Sequence, residues 1–316
     1  MNMVVYHSVI QVVPLWYKII STIIAALSVI SNIVVLRIWL KKNIRNQTTI
    51  LLSVLAISDS IAAVGCVGQS ISPDLSDKLC ACLVLSIVNI IGPISHTLSI
   101  LITTLIAVQR FFVCAFPYKG QRICNKLVSL LYCIITCAAT TTFLTVYLLK
   151  VVISGSVMID SYNSSFTMCK YEYVFTINRD NDQEFSRIRF LVLQVIPLIL
   201  ITISMTFCMY TVYVRKHMLA TNEAEQKEMN RTTVMIFFLM IVFTIGELPA
   251  TLSFYVRSFI PETTNKFLVW IGYSLEGAVY IPNIMVIVSY FMNIWIYILT
   301  CRQFRQELCN IFCCGK

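Results

Sequence analysis

Long apolar segments separated by short polar connections run along this chain of 316 residues. A helix that crosses the hydrocarbon core of a bilayer needs about 20 consecutive, mostly apolar residues. Seven segments reach that length: Leu15–Leu40, Thr48–Ser70, Leu79–Phe116, Leu127–Val152, Ile188–Val214, Thr232–Phe259 and Val269–Leu299. The pattern predicts an all-α membrane protein, a seven-transmembrane helix bundle over residues 15–299. The N-terminal stretch 1–14 precedes it, and residues 300–316 follow as a short amphipathic eighth helix and a tail.

The composition indicates that most of the protein surface faces a lipid bilayer. The chain is 58% hydrophobic and 12% charged, whereas soluble domains have roughly 25% charged residues. The net charge of +9 comes largely from Lys and Arg in alternate connections, the signature of cytoplasmic loops. We therefore expect the N-terminus outside, the C-terminus inside and no nucleic-acid partner. The first helix is expected to act as an uncleaved signal anchor.

Several residues outside the spans are candidates for covalent modification. Cysteines on the oxidising face favour a disulfide between Cys169 and either Cys80 or Cys82, and the sequence does not choose between the two. The triplet that begins at Asn163 is a glycosylation acceptor pattern on the same face. Three cysteines follow the last span on a basic stretch, which fits either palmitoylation or unmodified thiols. They are Cys309, Cys313 and Cys314.

Polar side chains inside the spans are informative because lipid offers them no partner. One carboxylate and its polar neighbours predict a pocket for water or a cation, with Na⁺ the candidate ion and no other cofactor or metal expected. The predicted members are Asn32, Asp59, Ser99, Ser289 and Asn293. The alternative is a structural network that holds the helices in register. We favour a role in structure and switching over binding of an external ligand.

A helical stripe on the third segment places His96 on the same face as Arg110. Glu247 lies in the outer half of the sixth segment, where a carboxylate must find a donor or a proton. We hypothesise that His96 and Glu247 meet across the bundle and form the floor of a ligand cavity. The alternative is that each of them hydrogen-bonds separately to water.

Prolines in the fifth and sixth segments, Pro197 and Pro249, flank the predicted basic loop Arg215–Arg231. Proline removes a backbone hydrogen bond and kinks a helix. Kinked helices beside a loop can swing, although proline is also common in membrane helices for other reasons.

These residues together resemble the rhodopsin-like G-protein-coupled receptors along nearly the whole chain. The first, second, third and seventh spans carry motifs similar to those of that family. They are Ser31-Asn32-Ile33-Val34-Val35, Leu55-Ala56-Ile57-Ser58-Asp59, Gln109-Arg110-Phe111 and Asn293-Ile294-Trp295-Ile296-Tyr297. Switch residues at Pro197, Ile100, Phe243 and Pro249 also match, and Phe304-Arg305 matches an eighth helix. The resemblance implies a receptor, not an enzyme, in which these residues relay activation to a heterotrimeric G protein.

Four departures from the family pattern bear on the implied mechanism. Gln109 replaces the acid that restrains the arginine, which implies a looser inactive lock. Met205 stands where a tyrosine is usual, and Ile294 replaces a proline. Gly246-Glu247-Leu248-Pro249 replaces Cys-Trp-x-Pro, so the common tryptophan toggle is absent.

The segments His96-Thr97-Leu98-Ser99 and Glu247-Leu248-Pro249 are similar to one invertebrate branch of the family. That branch includes the FMRFamide, myosuppressin and sex-peptide receptors and the nematode Srw-type chemoreceptors. The resemblance implies a short neuropeptide as the extracellular ligand. Acidic outer loops mildly favour a cationic ligand, although such loops are often simply solvated. The acidic residues are Asp74, Asp77, Asp160, Glu172, Asp180, Asp182, Glu184 and Glu262.

Two alternatives remain open. One is a chemosensory receptor of the same fold for a small non-peptide ligand. The other is a transporter, which is disfavoured because the odd number of spans and the lack of an internal repeat do not fit paired halves. No zinc-type cluster, phosphate-binding glycine loop or nucleophile–base spacing indicates an enzyme.

The distribution of Lys and Arg predicts the topology. An epitope tag after Lys316 should react with antibody only in permeabilised cells, and a tag before Met1 should react in intact cells. Immunofluorescence of the two tagged proteins checks this. A C-terminal tag that reacts on intact cells would overturn the orientation.

Overall fold

The computed structural model of the chain is a bundle of long helices, with a short helix packed at one end. It describes residues 14–41, 47–71, 79–116, 125–153, 187–188, 190–218, 223–259 and 280–312. Within these ranges the long helices are α1 (Leu15–Trp39), α2 (Gln47–Ile71), α3 (Leu79–Ala115), α4 (Lys126–Ile153), α5 (Ile196–Met218), α6 (Glu223–Phe259) and α7 (Tyr280–Thr300). The short helix is α8 (Arg302–Phe312). The predicted all-α bundle of seven helices with a short eighth is confirmed.

Apolar side chains cover the outside of the bundle as well as its core. Residues such as Leu15, Ile30 and Leu299 are more than half exposed, and similar residues line the outer faces of the other long helices. A soluble protein would expose such a belt to water at great cost, whereas lipid solvates it. Among the described residues, six helices are long and apolar enough to span a membrane. For α4, which has 28 residues, the count covers only Lys126–Thr142.

The ends of α5 and α6 beside the predicted loop Arg215–Arg231 differ from the prediction. The predicted loop Arg215–Arg231 is helical wherever the structure describes it, because α5 continues to Met218 and α6 begins at Glu223. The prediction was wrong because hydropathy marks where a helix leaves lipid and not where it ends. The segment that begins at Glu223 is rich in Glu, Ala, Gln and Lys, which are strong helix formers in water. The predicted seventh segment is described only from Tyr280 onward.

Proline has different local effects in different helices. Pro93 and Pro249 lie inside the continuous helices α3 and α6. Before Pro197, residues Leu191–Val195 form a π-helical turn, in which the backbone N–H of Ile196 donates to the carbonyl oxygen of Leu191. A wider turn of this kind is a common adjustment where the regular hydrogen-bond ladder is interrupted.

Helix α8 is fixed to α1 and α7 by one buried ring and two polar contacts. Phe304 is fully buried, and its ring packs 5.5 Å from the ring of Tyr297 and 5.3 Å from that of Trp39. Arg305 donates from Nη1 to the carbonyl oxygens of Ile298 and Leu299, which satisfies two acceptors at the end of α7.

The second polar contact of α8 joins it to the residues that follow α1. Lys41 donates from Nζ to the Glu307 carboxylate. This hydrogen bond lowers the pKa of the Glu307 carboxyl from its ordinary value. The ion pair is therefore complete at neutral pH and weakens only in acid, as the pH falls through that lowered pKa.

Helices α2 and α3 cross with their backbones in contact at two glycines. A Cβ atom added to Gly65 would lie 2.3 Å from the Cα of Gly92, and one added to Gly92 would lie 2.9 Å from the Cα of Gly65. Small residues allow this close approach between membrane helices. The crossing matters for function because α2 and α3 carry Asp59, Ser99 and Arg110.

We predict that Gly65→Ala destabilises the protein, because the methyl group must push α2 and α3 apart at a backbone contact. Overpacking of this kind costs about 1–3 kcal/mol. Thermal unfolding of the purified protein in detergent checks it, with Val64→Ala as the control because Val64 is 52% exposed and faces outward. Equal melting temperatures for the two variants would show that the crossing tolerates a side chain.

Candidate functional site

Asp59 of α2 lies at the centre of the bundle and links three helices. Its side chain is 1% exposed. Ser99 of α3 donates from Oγ to Oδ1 at 2.5 Å, and Asn293 of α7 donates from Nδ2 to Oδ2 at 2.7 Å. A buried carboxylate is strongly unfavourable unless donors satisfy it. These two donors therefore fix the relative positions of α2, α3 and α7.

A small cavity borders this carboxylate. Its volume is about 10 Å³, which is room for about one water molecule or one small ion. Polar groups and apolar side chains share its wall, which consists of Leu55, Asp59, Ser99, Thr103, Leu239, Phe243, Ser289, Tyr290 and Asn293. Each oxygen of the Asp59 carboxylate accepts one hydrogen bond, from Ser99 or from Asn293, and keeps another lone pair. The cavity therefore offers oxygen ligands suited to a water molecule or a hard cation.

Asn32 does not line this cavity, which corrects the predicted membership of the pocket. Asn32 of α1 donates from Nδ2 to the backbone oxygen of Tyr290 at 3.4 Å and to Oγ of Ser28 at 3.3 Å. It therefore ties α1 to α7 beside the cavity. Nothing in the sequence indicated that Asn32 lies outside the cavity, because Asn32 and Asp59 fall at similar depth in their helices. Ser289, in contrast, lies in the cavity wall and donates to the carbonyl oxygen of Val286 in its own helix.

His96 and Glu247 lie next to each other, with His96 Nε2 3.5 Å from Glu247 Oε2. The other ring nitrogen, Nδ1, is 2.6 Å from the hydroxyl oxygen of Tyr290. Helices α3, α6 and α7 therefore each contribute one member of this group. Glu247 is 1% exposed, whereas the His96 side chain is 26% exposed. His96 is thus the accessible member of the three.

Gly246, next to Glu247, lets α6 approach α7 closely. A Cβ atom on Gly246 would lie 2.9 Å from Cβ and 3.1 Å from Oγ of Ser289, and 3.2 Å from the backbone oxygen of Met285. A larger residue would hold α6 away from α7.

Arg110 is buried at the other end of α3, with 7% of its side chain exposed. It donates from Nη2 to the hydroxyl oxygen of Thr48 at the start of α2. The preceding residue, Gln109, donates from Nε2 to Oγ of Ser129 in α4 at 3.3 Å. Gln109 thus connects α3 to α4. The Thr48 hydroxyl, which is neutral, is one partner of Arg110.

The predicted switch residues lie in the core around these polar groups. Ile100, Phe243 and Met205 belong to one buried apolar cluster that joins α3, α5 and α6. Pro197 is buried in α5, and Pro249 is half-buried in α6. Phe111 stacks on Phe207 of α5 with ring centroids 4.7 Å apart.

Tyr297 is fully buried against the rings of Trp39 and Phe304, 5.5 Å away from each. It thus packs toward α1 and α8 in this structure. The Asp59 cavity includes neither Tyr297 nor Arg110 in its wall.

The modification sites fall mostly outside the described residues. Asn163, Cys169, Cys313 and Cys314 lie there, and the side chains of Cys80 and Cys82 are not described. Cys309 is an exposed free thiol on α8. Its predicted acylation, the disulfide and the glycosylation stay predictions.

Tyr290 and Thr48 are the residues that sequence reasoning missed. Tyr290 lies three residues before Asn293, on the same face of α7, and a helical stripe through Asn293 would have found it. Its hydroxyl meets His96 while its side chain also borders the Asp59 cavity. Thr48 carries no such signal, since nothing in the sequence shows that the first turn of α2 faces Arg110.

A family model matches residues 31–297 of the chain, and its description is a seven-transmembrane receptor of the rhodopsin family. No curated protein matches the chain as a relative. The matched range includes Asp59, His96, Arg110, Glu247 and Asn293.

We predict that Ser99→Ala destabilises the bundle, because it removes a donor from the buried Asp59 carboxylate. An unsatisfied buried group costs about 1–3 kcal/mol, and more when it is charged. Thermal unfolding in detergent checks it. Ser58→Ala is the matched control, since Ser58 is equally buried but donates only to the carbonyl of Leu55 in its own helix. A control as destabilised as Ser99→Ala would contradict the assignment.

Proposed function

The chain belongs to the rhodopsin family of seven-transmembrane receptors, and we propose that it binds a short extracellular neuropeptide and activates a heterotrimeric G protein. The family consists of receptors and not of enzymes, and the chain is a multi-pass membrane protein. We assign it to the plasma membrane, with its N-terminus outside and its C-terminus in the cytoplasm. The similarity of His96-Thr97-Leu98-Ser99 and Glu247-Leu248-Pro249 to the invertebrate peptide-receptor branch supports a peptide ligand.

The observation that carries the signalling proposal is the buried arginine at the inner end of α3. Arg110 is 7% exposed and bonded to a neutral hydroxyl on α2, while its neighbour Gln109 carries no charge. A hydrogen bond to a hydroxyl restrains a guanidinium less than an ion pair with an acid would. When α6 moves outward, the guanidinium of Arg110 would exchange the Thr48 hydroxyl for the C-terminal helix of a G protein.

A ligand can drive this change only by binding the outward-swung state more tightly than the resting state. The proposed path begins at His96 and Glu247, which lie one helix turn or more from the apolar cluster of Ile100 and Phe243. Repacking of that cluster, movement of α5 and α6 at Pro197 and Pro249, and inward rotation of Tyr297 would then release Arg110. Pro197, Ile100, Phe243, Tyr297 and Arg110 are buried, and Pro249 is half-buried.

We predict that Thr48→Val raises basal G-protein activity, because it removes a hydrogen bond that holds Arg110 in the resting state. A hydrogen bond to a charged group contributes about 1.5–3 kcal/mol, which corresponds to roughly a tenfold to hundredfold shift of the equilibrium. Agonist-free nucleotide exchange on a promiscuous G protein, normalised to surface expression, checks it.

Thr202→Val serves as the control, since Thr202 is exposed and its hydroxyl bonds within its own helix. Basal activity that is the same in Thr48→Val, Thr202→Val and wild type would contradict the restraint.

Short amidated peptides screened against wild type and Arg110→Ala test the function itself. A peptide response in wild type that is absent in Arg110→Ala, with equal surface expression, supports the proposal. Silence to all peptides combined with a response to odorant-like compounds would favour the chemosensory alternative. A response that persists in Arg110→Ala would show that the arginine does not transmit the signal.

We propose Na⁺ as the ion that binds in the cavity beside Asp59. The carboxylate, the hydroxyls of Ser99 and Ser289 and the amide of Asn293 are hard ligands around a space for about one small ion. A bound Na⁺ would offset the buried negative charge. We predict that NaCl raises the melting temperature relative to choline chloride in wild type but not in Asp59→Asn. An equal effect of the two salts in wild type would exclude this site.

A further inference from the structure

Glu247 carries a buried carboxylate that lacks hydrogen-bond donors in the described part of the chain. The side chain is 1% exposed, and neither Oε1 nor Oε2 accepts a hydrogen bond from a described residue. Asp59, the other buried acid, differs because both of its oxygens have donors. A carboxylate in such surroundings must take up a proton or meet a donor from outside the bundle.

His96 is a weak partner of one oxygen of the Glu247 carboxylate and leaves the other oxygen free. The 2.6 Å contact between its Nδ1 and the Tyr290 hydroxyl is satisfied when Tyr290 donates to Nδ1. The neutral ring then carries its proton on Nε2, which faces Glu247 Oε2 at 3.5 Å. That separation is too long for a strong hydrogen bond, and it leaves Oε1 without any contribution from the ring.

Access to the carboxylate is from the His96 side. His96 is 26% exposed, whereas the backbone of α6 beside Glu247 is closed against α7 at Gly246 and Ser289. His96 is therefore the exposed residue next to which an entering group would meet Glu247.

The local charge favours a cation over a neutral group. No Lys or Arg lies beside Glu247 among the described ion pairs. An incoming cation would compensate the charge of the ionised carboxylate and supply donors to both free oxygens. A planar guanidinium can donate to both oxygens at once, and an ammonium can donate to either.

We propose that Glu247, with His96 and Tyr290 beside it, binds a cationic group of the ligand, a guanidinium or a primary ammonium. The proposal rests on the receptor function proposed above and assigns the chemistry of its ligand. Because the three residues come from α3, α6 and α7, the cation would tie these helices together at one point. Tyr290 also borders the Asp59 cavity, so this contact would reach the centre of the bundle.

Two small probes that differ in charge test the site without a known agonist. Purified protein in lipid nanodiscs is titrated with butylguanidinium and with butylurea, its neutral analogue, and the apparent Kd of each is taken from the thermal shift. Wild type should bind butylguanidinium more tightly. Glu247→Gln should weaken guanidinium binding by about tenfold to hundredfold, the range expected for a hydrogen bond to a charged group, and leave butylurea unchanged.

Two further variants serve as controls. Glu307→Gln, which removes an acid on α8 far from this group, should behave as wild type. Glu247→Asp, which keeps the charge, should retain a preference for the cation. Equal affinity of wild type for the two probes would overturn the proposal, even if Glu247→Gln does not fold. A preference for the cation that survives in Glu247→Gln would also overturn it.

This experiment separates failure of the site from failure of the proposed function. It needs neither a peptide nor a G protein. Cation preference without any peptide-evoked signalling would refute the proposed function and leave the binding site standing. Peptide-evoked signalling without cation preference would support the proposed function and refute the cation site at Glu247.

Discussion

The structure depends on the hydrogen bonds that satisfy one buried carboxylate. Asp59 is surrounded by helices whose outer faces meet lipid, so it has no access to bulk water, and its donors must come from the bundle itself. Ser99 and Asn293 supply them from two different helices. The crossing of α2 and α3 at Gly65 and Gly92 brings Asp59 and Ser99 into range. Packing and polar satisfaction therefore specify the same arrangement of helices.

Two other polar groups lie along the same axis and differ in how well they are satisfied. At one end His96, Tyr290 and Glu247 leave a carboxylate without strong donors. At the other end Arg110 donates to the hydroxyl of Thr48. The central carboxylate has two donors and holds three helices together, whereas the Glu247 carboxylate accepts no hydrogen bond from a described residue. Strong pairing at the centre and an unsatisfied carboxylate at one end suit a bundle that keeps its fold while α6 moves.

Much of the fold followed from hydropathy, because span length is imposed by the bilayer. Apart from α7, which is described only from Tyr280, the helices begin and end within a few residues of the predicted spans except at the facing ends of α5 and α6. There the helices continue beyond the apolar segments, since helix propensity and not lipid governs those turns. The pairing of Asp59 with Ser99 and Asn293 followed from depth and helical face. Three features could not be predicted, because each depends on the rotation and crossing of two helices. They are the position of Asn32 outside the cavity wall, the hydrogen bond from Arg110 to Thr48, and the contact of Gly65 with Gly92. Period and depth alone do not encode those quantities.

The most direct test exchanges the two partners at the centre of the bundle. Thermal unfolding is measured for Asp59→Asn, for Asn293→Asp and for the double variant, all in the same detergent. If the amide–carboxylate hydrogen bond links α2 to α7, the exchange keeps one donor and one acceptor, and the double variant should be more stable than the sum of the single effects by about 0.5–3 kcal/mol. Additive effects of the two substitutions would contradict the central role of this pair.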